Sequence, residues 1–453
     1  MTNPGWYRFR GDVMGAIEAG IPSQLARRTW TSERLHQVQR DSLRQLLHHA
    51  VECSPFHRRR LATIDITDPD PSDLSALPVM TKADMMAELD NVFTDRRLNR
   101  ENVETAIAAT GPEPTVLFDE YVALASGGSS GNRGVFVYDE AAMASFATAI
   151  YRPPIEAPLD SLVITPHIAM VTAPSAVHAT GIAVALAAGP DAPAHVESIP
   201  ATLPIGDIVE QLNDAQPSIL GGYASMLARL AAESRAGRLQ IEPLQVSSTS
   251  ETLHPDMRAD IRAGFRVPVL DGFGSTEGLF GKTGPDLDEF VFNTDMCIVE
   301  LVDEDNRPVP PGTPSVKVLL TNLYNLIQPL IRYELSDTFI QQPGAVGHSY
   351  LRALVRGRSD EILRYPVTDI HPITIRSVMV QTPHVSEYQV RQTHCGIDVL
   401  AVSCGELDRQ TLTDRLCCTL NVAGLPQPTV TVQLVERLAR HPVTGKLRGF
   451  IPL

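Results

Sequence analysis

The spacing of apolar residues predicts helices near the start of the chain. In residues 32–61 apolar side chains recur at helical intervals after a cap-like Ser32, and Ser54-Pro55 is expected to end this helix. Residues 81–89, TKADMMAEL, predict a second, short helix with Thr81 as its N-cap.

From about residue 121 the pattern changes to short β-branched runs separated by turns. Helical patterns lie between the middle runs, and this alternation predicts an α/β fold whose sheets are mixed and partly parallel, with flanking helices. Open sheets of this kind bind ligands beyond the carboxyl ends of their strands. The predicted strands are SLVIT (161–165), PSIL (217–220), VPVL (267–270) and VKVLLTNL (316–323), and the helices between them are DIVEQLNDA (207–215) and YASMLARLAAESRA (223–236).

Residues 361–453 carry an α+β pattern of their own, long enough for a small independent domain. We therefore expect a large N-terminal domain over 1–357, a hinge at 358–360 and a small, mobile C-terminal domain over 361–453. The predicted elements of the small domain are a helix in ITIRSVMVQT, strands in EYQVRQT and IDVLAVSC, a helix in LDRQTLTDRLCCTLN and a strand in TVTVQLV.

Charge and composition narrow the function. The 453 residues carry a formal net charge of −15 at pH 7, which argues against a nucleic-acid partner because such proteins cluster Lys and Arg. The first 20 residues contain no apolar run long enough for a signal peptide, and no stretch of the chain reaches the length of a membrane span. The six cysteines lack metal-binding spacing and indicate ordinary reduced thiols. We expect a cytoplasmic protein without membrane or nucleic-acid partners.

Residues 126–134, SGGSSGNRG, are rich in glycine and serine and lie between two strand-like runs, YVALA and VFVYD. Backbone N–H groups in such a loop can turn toward an anion and serine hydroxyls add donors, so a triphosphate is a suitable ligand. A nucleotide P-loop would instead lead into a helix and end in Gly-Lys-Ser/Thr. Alone, the stretch also fits a mobile hairpin loop.

A second glycine-rich stretch, VPVLDGFGSTEG (267–278), contains Glu277 just beyond a strand. A carboxylate there could hold Mg²⁺ between phosphate oxygens, and Thr276 could donate a hydrogen bond to the same phosphate. The alternative is a type II turn followed by a surface acid.

Two further stretches place charged residues after strands and at the C-terminus. In PLIRYELSDTF (329–339), Asp337 is suited to accept both hydroxyls of a ribose. Arg332 and Arg358 are candidates for phosphate or hydroxyl contacts, although ordinary salt bridges are the alternative. In HPVTGKLRGF (441–450), Lys446 could offset charge that develops on phosphate.

In this order, the four stretches resemble the motifs of the adenylate-forming enzymes, the superfamily of acyl-CoA synthetases, peptide-synthetase adenylation domains and luciferases. LRQLLHHAVECSPFHRRRL, LPVMTKADMM, PLIRYELSD and SEYQVRQT are most similar to the phenylacetate-CoA ligase branch. The resemblance spans nearly the whole chain. It implies an AMP-forming ligase that uses ATP and Mg²⁺ to activate a small, aromatic acid with release of pyrophosphate.

The resemblance also implies roles for individual residues. Glu277 would bind Mg²⁺ and act in catalysis with Thr276 and Lys446, Asp337 would hold the ribose with Arg358, and Asp360 would be the hinge. His178, Gly222 and Tyr223 would line the substrate pocket. The remaining ATP- and AMP-binding residues implied are Ser126, Gly127, Gly128, Ser129, Ser130, Gly131, Arg133, Ser250, Glu251, Thr252, Asp271, Phe273, Gly274 and Ser275, with Thr276 at the α-phosphate.

The chain departs from the family pattern at two places, and the second departure leaves the acceptor open. Arg133 stands where relatives carry a lysine next to proline, so a guanidinium would supply the cation. EILRYPVTDIHP (361–372) lacks the glycine-containing turn of CoA-using relatives, and Tyr365-Pro366 would make a stiffer wall there.

The acceptor is CoA or another nucleophile. The alternatives are an ATP-dependent diazotase of secondary metabolism, which activates nitrite and couples it to an arylamine, or an amide-forming synthetase. A different class would be a nucleotide-binding regulatory protein that has lost catalysis, but the presence of both Glu277 and Lys446 argues against it. A homodimer is the oligomer expected.

Overall fold

The computed structural model describes residues 3–27, 29–126, 134–153, 166–173, 175–189, 195–343, 350–358, 362–370, 372–380, 382, 385–403, 405–440 and 447–453. The described chain divides into two compact units, residues 1–356 and 357–453. No helix in these ranges combines the length and apolarity needed to cross a bilayer.

The helices of the larger unit precede and separate its strands. They are α1 (Pro4–Arg27), α2 (Ser32–Cys53), α3 (Pro55–Arg60), α4 (Lys82–Ala87), α5 (Leu89–Val92), α6 (Arg100–Ala109), α7 (Glu140–Tyr151), α8 (Ala179–Ala187), α9 (Ile205–Ala215), α10 (Ala224–Arg235) and α11 (Pro255–Phe265). The smaller unit contains α12 (Pro372–Val380) and α13 (Arg409–Val422).

The strands follow the same division, except that the last two residues of β15 belong to the smaller unit. Those of the larger unit are β1 (Val116–Leu117), β2 (Tyr121–Ala125), β3 (Val135–Asp139), β4 (His167–Thr172), β5 (His195–Pro200), β6 (Ile219–Gly222), β7 (Gln245–Thr249), β8 (Val269–Gly274), β9 (Phe280–Thr283), β10 (Glu289–Phe292), β11 (Cys297–Val302), β12 (Lys317–Asn322), β13 (Tyr333–Leu335), β14 (Asp337–Gln341) and β15 (Arg352–Arg358). The smaller unit has β16 (Leu363–Arg364), β17 (Asp369–Ile370), β18 (Val385–Thr393), β19 (Gly396–Ser403), β20 (Thr429–Leu434) and β21 (Phe450–Ile451).

The largest sheet among the described residues has nine strands in the order β14-β15-β10-β9-β8-β7-β6-β4-β5. Strands β5, β4, β6, β7 and β8 are parallel, and β8, β9, β10 and β15 are antiparallel. The predicted mixed, partly parallel α/β fold is therefore confirmed. The apolar faces of α9, α10 and α11 pack on the parallel part through a core that includes Leu212, Leu227 and Ile261.

The amphipathic pattern of residues 32–61 forms two helices rather than one. Helix α2 ends at Cys53 as Ser54-Pro55 predicts, and α3 begins at once because Ser54 accepts the His57 N–H as an N-cap. The cap of α2 is Thr31, so the prediction of Ser32 is wrong by one residue. Thr81 caps α4 in a reciprocal capping box with Asp84, as predicted.

The smaller unit has a four-stranded sheet in the order β20-β19-β18-β21. Helices α12 and α13 pack through Ile375, Leu416 and Leu420 in one apolar core with the sheet. These elements match the predicted helices and strands of the C-terminal segment. The predicted strand at 161–165 lies outside the described residues.

Candidate active site

The predicted pocket and adenine residues meet at one edge of the nine-stranded sheet. Val171, Gly222, Ser248 and Asp271 occupy one row across β4, β6, β7 and β8. Because these strands are parallel, their carboxyl ends point to the same edge. The predicted residues at 222–223, 250–252 and 271–275 therefore follow this row at neighbouring strand ends, which is where open α/β sheets bind ligands.

Glu251 lies against the start of helix α10. Its Oε2 accepts a hydrogen bond from the Ser225 N–H at 3.0 Å, and this is favourable because backbone donors at a helix N-terminus have no partner within the helix. Ser250 before it has a φ of 64°, so the chain turns sharply after β7. Thr252 is exposed. The three predicted residues thus form the turn between β7 and α11.

Asp271 is a buried carboxyl on β8. Burial raises its pKa to about 7, while the Ser248 hydroxyl and the Arg258 guanidinium act in the opposite direction. Its backbone N–H donates to Thr283 Oγ1 at 2.9 Å, which fixes the strand beneath it. Near neutral pH this carboxyl can therefore both donate and accept a hydrogen bond.

Asp271→Asn is expected to flatten the pH dependence of stability. Because the folded pKa lies above the unfolded value of 3.8, Asp271 favours the folded state below about pH 4, and this contribution is lost as the pH rises through 7. Between pH 5 and pH 8, the free energy of unfolding measured in urea should fall by roughly 2–3 kcal/mol more in wild type than in Asp271→Asn. Asp288→Asn is the control, since Asp288 is exposed and pairs with the same Arg258. Parallel pH profiles for wild type and Asp271→Asn would refute the assignment.

Phe273 belongs to an aromatic cluster that connects β8 with β14. Its ring packs edge-on against Phe339 at 5.3 Å and Phe292 at 5.6 Å between centroids. Asp337 is two residues before Phe339 on β14, so both project from the same face of that strand. The cluster thereby brings the predicted ribose and adenine residues to one side of the sheet.

Thr276 and Glu277 occupy a tight turn after β8. The Gly278 N–H donates to the Ser275 carbonyl at 3.1 Å, and the Leu279 N–H donates to Ser275 Oγ at 3.2 Å. Glu277 is only 5% exposed, which contradicts the alternative of a surface acid.

The Glu277 carboxylate is the chemically informative group of this turn. Among the described residues it accepts no hydrogen bond and forms no ion pair. A cation that reached this carboxylate would meet no competing partner in the described part of the protein. Its oxygen donors suit a hard divalent cation, so the residue fits the Mg²⁺ role that the resemblance implies.

A group of buried polar side chains fixes this turn to the strand that follows the glycine-rich loop. Tyr138 on β3 donates to the Thr276 carbonyl at 2.5 Å, and Asn322 donates to the Glu277 carbonyl at 2.9 Å. Gln328 accepts from the Val137 N–H at 2.8 Å and donates to the Val135 carbonyl at 2.9 Å. The turn and the stem of the loop are therefore held as one structure.

Sequence reasoning missed these positioning residues. The stretch that could have indicated Asn322, Asn325 and Gln328 is NLYNLIQP (322–329), where Asn and Gln interrupt an apolar run. Buried amides in such a run need partners, and Asn325 finds one in the Val137 carbonyl at 2.9 Å.

Gly278→Ala is expected to destabilise the larger unit. Gly278 has a φ of +100°, and an added Cβ would overlap Tyr324 Oη and Asn322 Nδ2. We expect the free energy of unfolding, measured in urea, to fall by roughly 2–4 kcal/mol. Gly312→Ala is the matched control, because Gly312 has a φ of +83° with open space around it. This variant measures the energetic cost of a positive φ without a steric overlap. Equal losses in both variants would show that the contacts with Tyr324 and Asn322 are not restrictive.

The glycine-rich loop joins antiparallel strands, as predicted from its flanks. β2 and β3 pair from Tyr121–Asp139 to Ala125–Val135, and the Gly134 N–H closes the stem by donating to Ser126 Oγ at 2.8 Å. Residues 127–133 lie outside the described residues, so the predicted phosphate contacts of the loop stay predictions.

His178 lies beside this stem at the N-terminus of α8. The Ala125 N–H donates to the Val177 carbonyl at 2.8 Å, and His178 Nδ1 is 3.3 Å from the Ala125 carbonyl. The predicted pocket histidine and the loop are thus adjacent.

Tyr223 is completely buried in this structure. Its hydroxyl accepts from the Ala173 N–H at 2.8 Å, and its ring belongs to the core that also contains Leu227. A side chain with 0% exposure cannot line an open pocket, so the prediction needs correction. Tyr223 instead supports the segment that leads to His178, while Gly222 lies against the Val171 carbonyl at the end of β6.

Two further residues serve the structure rather than a ligand. The Arg332 guanidinium forms two hydrogen bonds with Glu300, at 3.0 and 2.9 Å, and one with the Leu77 carbonyl at 2.6 Å. Its candidate role as a phosphate contact is therefore wrong. Tyr365 is buried in the core of the smaller unit and donates to the Gly396 carbonyl at 2.7 Å, so its ring does not form the predicted wall against CoA.

The last predicted residues are only partly covered by the structure. Arg358 is the final residue of β15. Asp360 and Lys446 lie outside the described residues, and their roles stay predictions.

Comparison with known proteins identifies the fold of this chain. No protein-family model matches the chain. Protein CapK of Staphylococcus aureus is 26% identical over 132 residues, which is 29% of this chain and 28% of CapK. The structure of 2-hydroxyisobutyryl-CoA ligase with R3-HIB-AMP, in the postadenylation state, has a TM-score of 0.65 at 18% identity and covers 94% of this chain and 91% of that one. The chain has the adenylate-forming fold.

A second solved structure agrees with the adenylate-forming fold over a smaller region. The anthranilate CoA ligase AuaEII in complex with anthranoyl-AMP aligns with a TM-score of 0.53 at 15% identity, covering 73% of this chain and 68% of that chain. At these identities the likeness establishes the fold.

Proposed function

We propose that this protein is an ATP-dependent, AMP-forming ligase that activates a small aromatic carboxylic acid and transfers it to an acceptor, with CoA as the first candidate. The observation that carries the proposal is the buried Glu277 carboxylate, which lacks a partner among the described residues and lies on a turn fixed to the stem of the glycine-rich loop. A Mg²⁺ ion held by Glu277 and the triphosphate would supply the positive charge that pairs with this carboxylate.

The nucleotide is assigned to the edge formed by β6, β7 and β8. Phe273 and Asp271 would contact the adenine with 250–252 and 274–275, and Asp337 would bind the ribose with Arg358. Residues 126–134 would hold the β- and γ-phosphates and Thr276 the α-phosphate. Neighbouring strand ends and the Phe273–Phe339 contact support this assignment.

The reaction needs no covalent enzyme intermediate. A carboxylate oxygen of the acid attacks the α-phosphorus of ATP, the bond to the bridging oxygen breaks, and pyrophosphate leaves with that electron pair. Bound Mg²⁺ would supply charge neutralisation at the phosphates. Glu277 would hold the metal, Thr276 would donate to the α-phosphate, and Lys446 would offset the negative charge of the transition state.

The acid is assigned to the space near His178, beside the loop stem. The proposal of an aromatic acid draws on the phenylacetate-CoA ligase-like motifs, and AuaEII was solved with anthranoyl-AMP. The 2-hydroxyisobutyryl-CoA ligase was solved with R3-HIB-AMP. A substrate panel must therefore contain both aromatic acids and a short hydroxy acid.

A second candidate is the activation of nitrite for coupling to an arylamine. It is favoured by the absence of glycine from residues 361–372, although Tyr365 itself packs inward. An amide-forming synthetase is distinguished only by its acceptor.

The test is pyrophosphate release by the full chain with ATP and MgCl₂, using benzoate, phenylacetate, 2-hydroxyisobutyrate, or nitrite with an arylamine. The proposal predicts release with an aromatic carboxylate and acyl-CoA formation when CoA is added. Release with nitrite and arylamine alone would replace it by the second candidate. Release with 2-hydroxyisobutyrate alone would remove the aromatic assignment.

A further inference from the structure

Three potential metal ligands converge on the outer strands of the parallel sheet. His167 is the first residue of β4, and His195 is the first residue of β5. The strands pair in parallel with His167 opposite His195 and Ala169 opposite Glu197. Because side chains alternate along a strand, all three groups project from the same face.

The ligand atoms of the three side chains lie close together. The Nε2 atoms of His167 and His195 are each 3.3 Å from Glu197 Oε1, and the imidazole rings are 4.6 Å apart at 65°. The ligand atoms all lie within 4.8 Å of one another. In the part of the chain that the structure describes, no other group of His, Cys, Asp and Glu side chains converges in this way.

We propose that His167, His195 and Glu197 bind a divalent transition-metal ion, with Zn²⁺ as the first candidate. Two imidazole nitrogens and one carboxylate oxygen suit Zn²⁺ and its neighbours Co²⁺, Ni²⁺ and Cu²⁺, whereas Mg²⁺ and Ca²⁺ prefer all-oxygen ligands. Zinc–nitrogen and zinc–oxygen bonds of about 2.0–2.2 Å join ligand atoms that are roughly 3.3 Å apart at tetrahedral angles. The two nitrogen–oxygen distances of 3.3 Å fit this requirement, and all ligand atoms lie within 4.8 Å of one another. Water would complete the coordination.

The proposed metal site is separate from the nucleotide site. His167 begins β4 and Thr172 ends it, so five residue steps of about 3.3 Å place the metal ligands roughly 16 Å from the carboxyl edge of that strand. Among the described strands, β5 lies at the edge of the sheet. A metal ion bound by both strands would hold this edge strand in register and raise the stability of the larger unit.

The simpler explanation is that both histidines only hydrogen-bond to Glu197. The side chain of His195 is 70% exposed, so such bonds compete with water and contribute little to stability. Only the metal site predicts stabilisation by Zn²⁺ that requires all three side chains.

The test is calorimetric titration of the untagged, metal-free full chain with ZnCl₂, together with thermal unfolding with and without Zn²⁺. Wild type is expected to bind one Zn²⁺ at its tightest site and to unfold at a higher temperature when zinc is present. His167→Ala, His195→Ala and Glu197→Gln should each weaken this site by more than about tenfold and abolish the thermal shift. MgCl₂ should produce no heat at this site.

The matched control is His394→Ala, because His394 and the adjacent Cys395 are exposed in the smaller unit and offer a competing surface site. The control should retain the tight site and the thermal shift. Loss of zinc binding in His394→Ala with retention in His195→Ala would overturn the proposal, as would wild-type protein without a stoichiometric zinc site. Co²⁺ substitution gives an independent readout, since its visible absorption should disappear in Glu197→Gln if the carboxylate is a ligand.

Discussion

Replacing Glu277 with glutamine is expected to reduce pyrophosphate release by at least about 100-fold at saturating ATP, or about 3 kcal/mol of activation free energy. The amide keeps the shape of the side chain but removes its charge. The buried Glu277 carboxylate has no partner among the described residues, so no internal ion pair is broken and stability should not fall. The measurement is the rate of pyrophosphate release as a function of MgCl₂ concentration, with urea unfolding in parallel.

The control for this prediction is Glu289→Gln on neighbouring β10. Glu289 is half-buried and pairs with Arg352, so its charge is already neutralised within the protein. This variant should keep the magnesium dependence of wild type. An unchanged magnesium dependence in Glu277→Gln would remove Glu277 from the metal site and, with it, the observation on which the proposed function rests.

Lys446→Ala is expected to lower ATP–pyrophosphate exchange by roughly 10²–10³-fold while leaving ATP binding nearly unchanged. An ammonium group that neutralises charge mainly in the transition state lowers the barrier without tightening ground-state binding. The two measurements are isotope exchange between pyrophosphate and ATP, and binding of MgATP by calorimetry. Their separation distinguishes a catalytic lysine from one that only binds phosphate.

Arg448→Ala is the control for Lys446, because Arg448 is an exposed basic residue two positions along the chain. It should retain wild-type exchange. If Lys446→Ala also keeps wild-type exchange, the catalytic cation lies elsewhere in the chain. If both measurements fall by the same factor, Lys446 contributes to binding only.

Local signals in the sequence predicted some of the helices and strands. Thr81 with Asp84 marked a helix start, Ser54-Pro55 marked a helix end, and the runs at 217–220 and 267–270 marked β6 and β8. Helix α1 was not predicted. Its buried side chains, Trp6, Phe9, Arg10 and Val13, are confined to its first half, so the apolar stripe is too short to be recognised by period.

Residue type alone could not separate ligand-facing side chains from those that support them. Arg332 and Asp337 are five residues apart in the same motif, yet the Arg332 guanidinium is occupied by Glu300 and the Leu77 carbonyl, which are distant in sequence. Tyr223 and Tyr365 are buried for the same reason, since each finds a backbone partner from another element. The exposed or buried state of a polar side chain depends on tertiary contacts that no local pattern encodes.

The central claim is that this chain forms an acyl-AMP by attack of a carboxylate on the α-phosphorus of ATP. The most direct measurement uses a substrate acid labelled with ¹⁸O in its carboxylate, with mass spectrometry of the AMP released after transfer to the acceptor. The account predicts one ¹⁸O atom in AMP and none in pyrophosphate. Label in orthophosphate with formation of ADP, or unlabelled AMP, would contradict it.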